Sequence, residues 1–159
     1  MGFGAGTLWD LGRETEARVR WDGEGPRHGS GLEAGGITEV ELVLLRTRIR
    51  TGSATYDPAI EVYRIVYPTP TDPEYEHWAK NLETEYERTV SMVLPEFLSE
   101  LCEVSPSEVE SISEQWGAAT GHDWHQEYPD HSVSVLRELI AFAKKAKSKK
   151  MGVFASQWD

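Results

Sequence analysis

Pro68, Pro70 and Pro73 fall within six residues and divide the chain into two parts of different character. Proline fixes φ and donates no backbone hydrogen bond, so neither a central strand nor a helix runs through such a segment. Whatever forms upstream must end near Tyr67, and whatever forms downstream must begin near Asp72. Upstream, apolar residues mostly recur in extended patterns; downstream they recur at intervals of three and four. Strands segregated from helices imply an α+β fold: N-terminal antiparallel strands, about four helices packed on them, and a short C-terminal strand. The 159 residues suit a single domain, and six Trp, six Tyr and four Phe supply bulk for its core.

Upstream, residues 17–67 read as mainly β. Ala17, Val19 and Trp21 alternate with Arg18 and Arg20, the pattern of a half-buried strand. Asp22-Gly23-Glu24-Gly25-Pro26 is a turn signal, and residues 22–36 are expected to form a mobile loop. Ile37–Arg50 reads as a central strand, with Val40, Leu42 and Leu44 on one parity and Val43, Leu45 and Ile49 on the other. A helix is the competing reading, since Glu39, Leu42 and Leu45 also suit one. After a turn over residues 52–58, the β-rich run from Ile60 to Tyr67 predicts a hairpin with the preceding segment. Residues 1–16 are expected to be a mobile arm. Gly2, Gly4 and Gly6 do not make a phosphate loop, because no strand precedes them and no Lys follows in the required position.

Downstream, residues 72–147 read as mainly α. Asp72 and Pro73 suit a helix start, and Tyr75, Trp78, Leu82, Tyr86, Val90 and Val93 form one apolar stripe. Pro95 forces a new start, and Phe97, Leu98 and Leu101 mark a short second helix. Ser105-Pro106-Ser107-Glu108 predicts a capping box for a third helix, with Val109, Ile112 and Trp116 buried and Gly117 and Gly121 as stops. A fourth helix spans Ser132 to Lys147, and residues 151–158 read as a closing strand. Lys144, Lys145, Lys147, Lys149 and Lys150 complement the dipole at a helix C-terminus. Cys102 has no partner for a disulfide and reads as a small buried hydrophobe.

Charge is distributed unevenly. Residues 72–114 hold twelve carboxylates, opposed only by Lys80 and Arg88, in a chain whose net charge is −11. Glu76 with Lys80 is a favourable helical pair, whereas Glu83 and Glu87 repel. Such a surface disfavours nucleic acid and suits a basic protein partner. A small acidic inhibitor of the immunity or antitoxin kind has this character. Glu83, Glu87, Glu103, Glu110 and Glu114 are the predicted contacts, with Trp116 and Trp124 as aromatic anchors.

Chemistry-bearing motifs are weak. His122, His125, Asp130 and His131 offer imidazole and carboxylate ligands for a transition metal. The spacing lacks the helical His-Glu-x-x-His arrangement of a metalloprotease. A metal-dependent enzyme is therefore an alternative reading, and no other cofactor is expected. A third reading is a homodimer or larger homo-oligomer joined through the aromatic hairpin. No nucleophile elbow is present, and a binding protein is favoured over an enzyme. No run is long and apolar enough for a transmembrane helix, and no secretory signal is recognisable. The expected compartment is the cytoplasm.

Overall fold

Thr7, Trp9 and Leu11 alternate along the first strand and are all buried, so this N-terminal stretch is an organising element of the sheet. The computed structural model describes residues 6–12, 31–67, 70–71, 76, 90–121, 128 and 130–158. In chain order these form β1 (Gly6–Gly12), β2 (Leu32–Gly35), α1 (Glu39–Thr51), β3 (Tyr63–Tyr67), β4 (Val90–Val93), α2 (Pro95–Cys102), α3 (Val109–Thr120), α4 (Asp130–Lys149) and β5 (Gly152–Trp158). The strands make an antiparallel sheet in the order β2-β1-β5-β4-β3. The fold is α+β, and among the described residues it comprises N-terminal strands, four α-helices and a C-terminal strand. The two ends of the chain meet within the sheet: β1 pairs with β5 from Gly6 opposite Trp158 to Gly12 opposite Gly152.

Several sequence expectations change here. The arm expected over residues 1–16 contains β1, and the loop expected over 22–36 contains β2. Flanking glycines disguised both strands. Ile37–Arg50 is not a central strand: α1 occupies it, so no hairpin joins it to residues 60–67, and β3 pairs with β4 instead. The cause is local. The Glu41 carboxylate accepts from the Thr38 backbone N–H at 2.9 Å and from the Thr38 hydroxyl, closing the first turn. Gly52, at φ 87°, ends the helix in the left-handed conformation that glycine adopts without penalty. Val90 and Val93, expected at the end of a helical stripe, lie in β4. Glu76, within that predicted helix, is helical and exposed; Tyr75, Trp78, Leu82 and Tyr86 of its stripe, and the predicted strand 17–21, lie outside the described residues.

The later helices follow their stripes. Pro95 takes the first position of α2. Ser105 caps a single 3-10 turn over Pro106–Glu108 by accepting from the Ser107 N–H at 3.3 Å, and α3 starts only after it. Gly117 lies inside α3 and is buried; Gly121, at φ 70°, is the stop. Helix α4 begins at Asp130 and reaches Lys149, and it packs on β2, β5, α2 and α3. Its end is strained. Lys150 adopts φ 55° while its N–H donates to the Lys147 carbonyl at 3.2 Å, and Met151 N–H donates to Ala146 at 3.0 Å. A left-handed lysine costs what glycine does not, so Lys150→Gly is expected to stabilise the fold by about 0.5–1 kcal/mol. An unchanged or lower urea midpoint would contradict this.

One apolar core joins the sheet to the helices. Trp9 is at its centre, 1% exposed. Its ring meets Phe97 of α2 edge-on at 6.3 Å and Phe142 of α4 at 6.2 Å. Its indole N–H donates to the Tyr63 hydroxyl of β3 at 3.0 Å. Cys102 is half-buried against this core as a free thiol.

Among the described residues, two buried hydroxyls have no partner: those of Ser113 on α3 and Ser132 on α4. An unsatisfied buried hydroxyl retains its desolvation cost. Ser113→Ala removes that cost and adds helix propensity. A gain of about 1 kcal/mol in denaturant unfolding is the expected result; a loss would show that the hydroxyl is satisfied in solution.

Candidate functional site

Helical periodicity places Glu110 and Glu114 one turn apart on α3, and Asp130, Ser134 and Glu138 on successive turns of α4. Because α3 packs on α4, these two rows face a common groove of about 950 Å³. Among the described residues that line it, Arg137 is the one cation, and Val133 and Ala141 supply apolar surface. Four carboxylates and one guanidinium thus line the same groove. Among the described residues, none of Glu110, Glu114, Asp130, Glu138 and Arg137 is engaged in a side-chain hydrogen bond or ion pair. The charges are exposed on a concave surface.

The other predicted contacts have different fates. Glu103 follows α2 and lines a separate, smaller hollow of about 330 Å³. Arg48 and Arg50 share that hollow with Glu103, Glu100 and Glu108, so its charge is mixed. Trp116 is not an exposed anchor. It is fully buried, and its indole N–H donates to the Glu41 carbonyl at 2.7 Å, fastening α3 to α1. Its place on the same stripe as Val109 and Ile112 explains this. Glu83, Glu87 and Trp124 lie outside the described residues.

Of the predicted metal ligands, Asp130 and His131 are exposed at the start of α4. His122 and His125 lie outside the described residues. No group of three or more ligating side chains capable of holding a metal occurs among the described residues. The aromatic hairpin proposed as a subunit contact does not form, because α1 replaces its first strand and Tyr63 is buried in the core.

Some acidic residues have purely structural roles. Glu100 grips Arg46 in a bidentate pair, with Nε to Oε1 at 3.0 Å and Nη2 to Oε2 at 2.9 Å. The remaining guanidinium nitrogen, Nη1, donates to the Glu61 carbonyl at 2.5 Å. The Arg46 side chain is only 6% exposed and that of Glu100 23%, so this pair holds α1 to α2 from within. Glu39 has its pKa raised, first by partial burial and then by repulsion from Glu61.

Glu138, Arg137 and Ser134 were not anticipated as site residues. Their signal was present in the three- and four-residue spacing along the outer face of the fourth predicted helix. The lysines at 144, 145, 147, 149 and 150 are exposed at the opposite end of α4, where Lys147 and Lys149 complement the helix dipole. No helix among the described residues is long and apolar enough to cross a membrane. No protein-family model, curated protein or solved structure matches this chain.

Proposed function

We propose that this chain is a small cytoplasmic binding protein of the inhibitor type, similar in role to an immunity protein or antitoxin, whose α3–α4 groove engages a basic protein partner. The observation that carries this reading is the gathering of Glu110, Glu114, Asp130 and Glu138 on one concave surface, opposed among the described lining residues by Arg137 alone. Like charges gathered without counterions raise the local negative potential and steer a cation to an encounter. Val133 and Ala141 offer apolar contact for the methylene stems of incoming Lys or Arg side chains. Binding of this kind weakens as salt screens the charges.

A lysine- and arginine-rich peptide is a suitable probe. The expected result is salt-sensitive binding that weakens roughly tenfold in the triple variant Glu110→Gln, Glu114→Gln, Glu138→Gln, at unchanged thermal stability. Equal affinity of the wild type and the triple variant at low salt would remove the groove from the account.

A further inference from the structure

We draw no further inference here: the strongest candidate, the cluster of carboxylates in the groove between α3 and α4, belongs to the site already described, and nothing else in the structure shows what covers it.

Discussion

Trp9→Ala is expected to lower the unfolding free energy by about 3–5 kcal/mol, measured by urea denaturation. The ring lies where β1, β3, α2 and α4 meet, so its removal takes away contacts with Phe97 and Phe142 and the hydrogen bond to Tyr63. The surrounding elements are themselves mutually packed and cannot collapse fully into the space, which adds a cavity cost to the lost burial. Typical domains are stable by only about 5–15 kcal/mol, so the variant would lie near the limit of folding. Trp9→Phe, which retains an aromatic ring but loses the indole donor, is expected to cost less. A loss below about 1 kcal/mol for the alanine variant would be that of a peripheral side chain, and would contradict the position of β1 within the sheet.

Glu100→Ala is expected to cost about 3–5 kcal/mol, because it leaves the Arg46 guanidinium buried without its countercharge. The paired replacement Arg46→Met with Glu100→Leu is expected to be much less damaging, since it removes both charges together and replaces them with apolar bulk. The comparison separates two effects. If the single variant were as stable as the wild type, the ion pair would be a surface contact and not a fastening between α1 and α2. If the double variant were worse than the single, shape at this junction would matter more than charge. Arg46→Lys tests geometry, because a lysine cannot span both carboxylate oxygens and the Glu61 carbonyl in the same planar arrangement.

The parts of the fold that were legible in the sequence are those with one wet face. Helices α2, α3 and α4 show their apolar stripes because the opposite sides meet solvent. Helix α1 does not, since Leu42, Val43, Leu44, Leu45, Arg46 and Thr47 are all buried in succession. A helix surrounded at its middle loses its polar face, and its run of leucine and valine then resembles a strand covered on both sides. Val90 and Val93 misled for the converse reason, because two apolar residues three apart fit either a helical stripe or a short strand. Strand β1 was hidden by its glycines, although Thr7, Trp9 and Leu11 carry the alternation. The site was half legible. Charge skew singled out Glu110 and Glu114 as candidates, but their sharing a groove with Asp130 and Glu138 depends on the packing of α3 against α4, which no local pattern encodes. Trp116 shows the limit from the other side: being aromatic marked it as an anchor, while its position on the stripe with Val109 and Ile112 made it core.

We propose that cationic partners bind at the α3–α4 groove and not across the acidic surface at large. Backbone amide exchange with and without a lysine- and arginine-rich peptide tests this directly. Added protection concentrated in residues 109–120 and 130–141, abolished by high salt, is the predicted result. Protection centred instead on the hollow lined by Glu103 and Glu108, or spread evenly over the chain, would contradict it.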